Sequence, residues 1–164
     1  MIKAIVYTSS TGHTERYAKM LSEKLQIPSY TINEAKTNVS KKDEIIYMGW
    51  VCASKISGLN KARKRYSVKI CSAVGLFPTD DNNIKNLKEA NKINSDFFYL
   101  QGGVDYTKLK GIKKKILQMV GKAIEDKNKE ASSDIAKIFK DGADFVSEKN
   151  LQPLIQSISK YNNE

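Results

Sequence analysis

Histidine and tryptophan occur once each in the 164 residues, cysteine twice and proline three times, and acidic side chains are outnumbered by basic ones, 18 to 28. Each shortage excludes something. Cys52 and Cys71 lie too far apart for a close redox pair, and with His13 as the one histidine they cannot supply the four ligands of a structural zinc. Both are expected to be buried thiols, although Cys52 falls in a predicted loop. No Ser-His-Asp set or other convincing acid–base pair is present, which leaves hydrolysis without support. No apolar run is long enough for a membrane span. The opening residues lack the layout of a signal peptide, so a cytoplasmic location is expected.

The formal net charge of +10 bears on partners rather than on fold. It suits nucleic acid, an anionic membrane surface or an acidic protein. There is no helix-turn-helix signal, no zinc finger and no strand of spaced aromatics and arginines, so nucleic acid is not expected.

Apolar content is near the globular norm, and the length suits one domain spanning residues 1–164. Continuous apolar or β-branched runs predict strands at 3–8, 29–32, 43–50, 67–77 and 95–103. Helical spacing of Tyr17, Ala18, Leu21 and Leu25 predicts a helix over 14–25. Further helices are expected from a Ser54 or Ser57 cap to about Arg65, over 84–93, and from about Leu109 onward. "DGADF" interrupts this last part, and Pro153 falls early in a final helix. Strands alternating with helices, and apolar on both faces, define an α/β fold: a doubly wound, five-stranded parallel sheet.

Such a sheet binds ligands outside the carboxyl ends of its strands, near the point where strand order reverses. That rule selects the loops at 8–14, 49–54, 76–82 and 101–106. The first has five hydroxyl side chains, Thr8, Ser9, Ser10, Thr11 and Thr14, around Gly12. Capping the following helix needs one hydroxyl. Several hydroxyls, a glycine and a helix N-terminus together suit a phosphate held without transfer chemistry. A Walker loop would need a lysine, a dinucleotide fingerprint three spaced glycines, and a cysteine phosphatase a thiol in the loop. A receiver domain would need carboxylates at the strand ends. No metal site and no catalytic side chain is expected.

"SSTGHT" (Ser9 to Thr14) resembles the phosphate-loop motif of flavodoxins, with Ser9, Thr11, Gly12 and Thr14 on the motif positions. The order of strands fits the same family over most of the chain. The resemblance implies strand order 2-1-3-4-5 and FMN as cofactor, its phosphate in the first loop, where Ser10 and His13 also sit. His13 is expected to face solvent in the first helical turn. The flavin ring would lie between "GWVCAS" and "LFPTDDN". Trp50 and Phe77 would flank it, Gly49, Val51 and Cys52 would form the loop beside its reactive edge, and Asp80 and Asn82 would bond ring or ribityl atoms. Gly102 belongs to the fourth loop. A glycine at position 49 would let a peptide reorient beside the ring.

The segment "GGVDYTKLKGIKKKILQMVGKAI" (102–124) resembles the flavodoxin-like protoporphyrinogen oxidases of bacteria. The stretch between Phe77 and Phe97 is shorter than in that group, so the fold and the flavin carry over rather than the porphyrin substrate.

Residues 55–69 hold six basic side chains and no acidic one, on a helix expected beside the flavin edge. Leu109, Ile112, Ile116, Met119 or Val120, and Ala123 form an apolar stripe with lysines around it. A helix packed on the sheet through that stripe is favoured over contact with a membrane surface. The expectation is an FMN-binding electron carrier whose partner is a redox protein with an acidic docking face, or a small acceptor. The alternatives are an FMN-dependent oxidoreductase acting on a quinone or porphyrinogen, and a cofactor-free flavodoxin fold that binds an acidic partner.

Overall fold

The computed structural model describes residues 1–109, 111, 115, 119, 138 and 141–161. Its main sheet contains β1 (Ala4–Thr8), β2 (Ser29–Thr31), β3 (Glu44–Cys52), β4 (Lys55–Ile56), β5 (Ser67–Gly75) and β6 (Asp96–Gln101). The order is β2-β1-β3-β5-β6, all parallel, with β4 added antiparallel to β3. Apart from β4, this is the doubly wound order expected. The short strands β7 (Gly103–Val104) and β8 (Ala143–Asp144) pair antiparallel in a sheet of their own.

The helices described from end to end are α1 (His13–Leu25), α2 (Ala35–Asn38), α3 (Leu59–Arg63), α4 (Asp81–Ala90) and α5 (Gln152–Tyr161), the last preceded by a 3-10 turn at Glu148–Leu151. The period-two alternation of the strands divides the core between two faces. Ile5, Ile46, Met48 and Ile70 pack against Tyr17, Ala18 and Leu21 of α1 and Leu154 and Ile158 of α5. Val6, Ile45, Tyr47 and Cys71 meet Ala35 of α2, Leu59 and Ala62 of α3, and Ile93. Each fully buried Ile or Leu contributes about 1.5–3 kcal/mol. The buried Cys71 thiol has its pKa pushed up to about 12 by burial. Cys52 is exposed, contrary to expectation, because it sits in a hairpin at the sheet margin.

That hairpin revises the predicted loop at 49–54. β3 runs past Trp50 to Cys52, turns through Ala53 and Ser54, both with positive φ, and returns as β4. Positive φ at both central residues is the primed turn that matches strand twist, made here without Asn or Gly. α3 starts only at Leu59, after Gly58 with φ 80°, and neither serine caps it. β5 stops at Gly75, short of Phe77; the glycine leaves room for the Tyr99 hydroxyl, which donates to Phe77 O at 2.6 Å.

The basic segment 55–69 also has structural duties. Lys55 Nζ donates to Ala90 O and Arg63 Nη1 to Asn91 O, each at 2.6 Å, at the C-terminal end of α4. Arg65 Nη2 donates to Lys36 O of α2 at 2.6 Å. Cations there meet carbonyls that the helix leaves unpaired. The apolar stripe proposed for 109–123 lies outside the described residues except at Leu109 and Met119. No helix among the described residues is long and apolar enough to cross a membrane.

Gly49 is where the added hairpin bears on the sheet. A Cβ there would lie 2.6 Å from Ile56 Cγ2 and 2.7 Å from Ser57 O. Gly49→Ala should therefore lower unfolding stability by about 1–3 kcal/mol in denaturant titrations. An unchanged midpoint would contradict the packing described.

Candidate phosphate loop and flavin site

The carboxyl ends of the strands are brought level by their register. Thr8 pairs with Gly49, Gly49 with Ala73, Trp50 with Val74, Val74 with Leu100, and Gly75 with Gln101. The strand order reverses at β1, and from its end the chain enters the hydroxyl loop.

The loop is built around the start of α1. Gly12 is its N-cap residue, with φ 99°, and no side chain caps the helix. The first helical bond runs from Arg16 N to Gly12 O at 3.0 Å. The N–H groups of His13, Thr14 and Glu15 therefore have no intrahelical acceptor. Gly12 N donates to Ser9 Oγ at 3.1 Å, which folds the loop back on itself. Ser10 is half-buried at the crest. An L-residue in place of Gly12 would strain the αL turn.

Thr11, His13 and Thr14 are buried, at 9 %, 7 % and 2 % exposure. This corrects the expectation of a solvent-facing histidine. Thr11 Oγ1 and His13 Nδ1 form a 3.0 Å hydrogen bond, and the other ring nitrogen lies against β7: a Cβ on Gly103 would come within 2.7 Å of Nε2. Gly102 lies beside the loop, its Cβ position 3.5 Å from His13 Cβ. Its N–H bonds Gly75 O and its O accepts from Phe145 N, both at 2.7 Å.

A cleft of about 680 Å³ opens between this loop, the outer side of α1 and the paired strands β7 and β8. Arg16 Nη1 bonds Asp144 Oδ2 at 2.5 Å, and Lys108 Nζ stands 3.4 Å from Asp105 Oδ2. Burial raises the Asp144 carboxyl, but the Arg16 bond and the Val146 N–H outweigh it and hold the group below its usual range. His13 Nε2 is 3.8 Å from the other oxygen of Asp144. Sequence reasoning missed Lys108; its only signal was that the basic segment 108–115 begins there. A second cleft, about 460 Å³, runs along α4 past Ile84, Lys88 and Ile93 and includes none of the candidate site residues.

The residues expected around a flavin ring are less unified. Trp50 is half-buried in β3, where alternation puts it on the face of Ile46 and Met48, and its O accepts from Ser57 N at 2.9 Å. Phe77 follows β5 and is also half-buried. Val51 packs on the opposite core face, and Cys52 is exposed in the hairpin. Asp80 is the N-cap of α4, its Oδ1 accepting from Asn83 N at 2.7 Å, and Asn82 is exposed in the first turn of that helix. Gly49 is locked in the ladder between Thr8 and Ala73, beneath Ile56 and Ser57.

The site fits a phosphate: uncapped amides, a hydroxyl at Ser9 and a glycine-lined approach converge at one helix end, with cationic side chains nearby. Among the described residues no cluster of His, Cys, Asp or Glu suits a metal ion.

Burial lowers the His13 pKa below the ordinary 6.5, the Asp144 charge opposing it. Between the lowered folded value and 6.5, the unfolded chain binds the proton and the folded one does not, so stability rises with pH there. The contribution of neutral His13 is complete above about pH 6.5 and is lost as pH falls towards the folded value. Denaturation midpoints measured from about pH 7 to 5 should fall for the wild type and flatten for His13→Gln. Equal pH slopes would contradict this burial.

The sequence model of the Flavodoxin domain family matches residues 4–132. No curated protein and no solved structure matches the chain. Nothing in these comparisons supports the narrower likeness to protoporphyrinogen oxidases, whose segment lies mostly outside the described residues. The sheet order, the hydroxyl loop at the β1–α1 junction and a family match over most of the length agree, and the chain belongs to the flavodoxin domain family.

Proposed function

We propose that this protein binds FMN and carries electrons in the cytoplasm, in the manner of a flavodoxin. The observation that supports the reading best is the start of α1. Three amides without intrahelical acceptors follow a glycine in the αL region and a loop of hydroxyls, at the point where strand order reverses. The amides of His13, Thr14 and Glu15 and the Ser9 hydroxyl would hold the phosphate. Trp50 and Phe77, at the ends of the neighbouring strands, would flank the ring. FMN supplies redox chemistry when bound; this chain supplies binding and electrostatics. A free thiol on an exposed strand, Cys52, suits a reducing compartment.

The excess of basic side chains supports a redox protein with an acidic docking face as partner, or a small anionic acceptor. Several cations of the 55–69 segment are committed to helix ends, so the docking charge would rest on exposed side chains such as Lys61 and Lys64.

The single tryptophan gives a direct assay. FMN added to the purified protein should quench Trp50 fluorescence saturably, and flavin absorption should survive desalting. Ser9→Ala should weaken binding by about ten- to a hundredfold through loss of one hydrogen bond to a charged group. A folded wild type that neither quenches nor retains flavin would contradict the proposal and leave a cofactor-free binding protein as the better account.

A further inference from the structure

We infer that Lys108 is a phosphate-binding residue and makes the site select a phosphorylated flavin over the unphosphorylated one. The inference rests on the flavin reading above and deepens it. After β7 the chain turns tightly at Asp105–Lys108: Lys108 N donates to Asp105 O at 3.2 Å, and Asp105 Oδ1 accepts from Thr107 N and Oγ1 at 3.0 and 2.6 Å. The turn brings Lys108 back over the hydroxyl loop. Its Nζ lies 3.7 Å from the point a Cβ on Gly12 would occupy, and no other heavy atom among the described residues beyond the glycine's chain neighbours and helix backbone comes within 4 Å of that point. Lys108 and the residues that open α1, Gly12, His13 and Glu15, thus line the same cleft.

The placement is anchored. β7 and β8 are paired, Gly103 allows close approach of both Ala143 and His13, and Arg16 ties β8 to α1 through Asp144. Lys108 itself is 62 % exposed, and its charge partner is Asp105 at 3.4 Å. An exposed pair of that length contributes little, and Asp105 is already engaged by Thr107. A phosphate dianion on the Gly12 loop offers Lys108 more charge and better acceptors than Asp105 does, so the lysine can leave Asp105 for it. Riboflavin has no group at that position and gains nothing from the lysine.

The test compares FMN, riboflavin and inorganic phosphate on the full chain, with wild type, Lys108→Gln and Lys108→Arg, by Trp50 fluorescence and by competition. Lys108→Gln should weaken FMN by about three- to tenfold, leave riboflavin within about twofold and flatten the salt dependence of FMN binding, while Lys108→Arg keeps most of the affinity. Phosphate should compete with FMN in the wild type and less well in Lys108→Gln. Unchanged FMN affinity in Lys108→Gln, or equal loss for both flavins, would overturn the inference and leave the flavin reading standing. A wild type that binds neither FMN nor phosphate would overturn both. Phosphate binding that depends on Lys108, without FMN binding, would sink the flavin reading and sustain the lysine's role.

Discussion

The parallel pairing of β1 with β3 is the contact on which the rest of the molecule depends. β1 has β2 on one side and β3 on the other, so the chain leaves it in one direction and the later strands extend in the other. The loops diverge at that junction and leave a crevice at the carboxyl end. Thr8 is held there by more than the ladder. Its hydroxyl shares a 2.7 Å bond with Tyr47, whose own hydroxyl donates to Ser57 O at 2.5 Å. Gly58, where a Cβ would collide with both Tyr47 and Thr8, lets that network close. The hydroxyl loop therefore starts from a fixed point, with the β3–β4 hairpin braced behind it.

α1 extends this constraint to the C-terminal part of the chain. Tyr17 is fully buried, and its hydroxyl would be costly to bury unpaired. It donates to Gln101 O at 2.5 Å and accepts from Asn150 Nδ2 at 2.6 Å and Ser147 N at 3.3 Å. One side chain of α1 thus ties the end of β6 to the segment leading into α5. Four residues earlier on the same helix, His13 is wedged against Gly103. The helix that presents its amides at the loop is also the helix on which β7, β8 and the Asp105–Lys108 turn are seated. Loop, helix and cleft form one connected arrangement, held to the paired strands β7 and β8 through His13 and Arg16.

Much of this was legible in the sequence because the signals were local. The run through Ala4–Thr8, the period of Tyr17, Ala18 and Leu21, and the hydroxyl cluster before them each specify their own structure. Gly49 misled because a glycine that ends an apolar run and a glycine that makes room for a packed hairpin look alike in one dimension. The hairpin itself turns through Ala53 and Ser54, which carry no primed-turn signature. β7 and β8 are two residues each and far apart in the chain, too short for any periodicity. The burial of His13 depends on Gly103, and the duties of Lys55, Arg63 and Arg65 depend on helix ends distant in sequence. The place of Lys108 above Gly12 is of the same kind: a relation between two turns that only the folded chain brings together.

The central claim is that the start of α1 receives the phosphate of a flavin, and amide NMR during titration with FMN tests it most directly. The account predicts the largest shifts at Gly12, His13, Thr14 and Glu15, with a second group at the strand ends around Trp50 and Phe77. Shifts confined to the α4 cleft, or spread along the basic surface with the α1 amides unmoved, would contradict it.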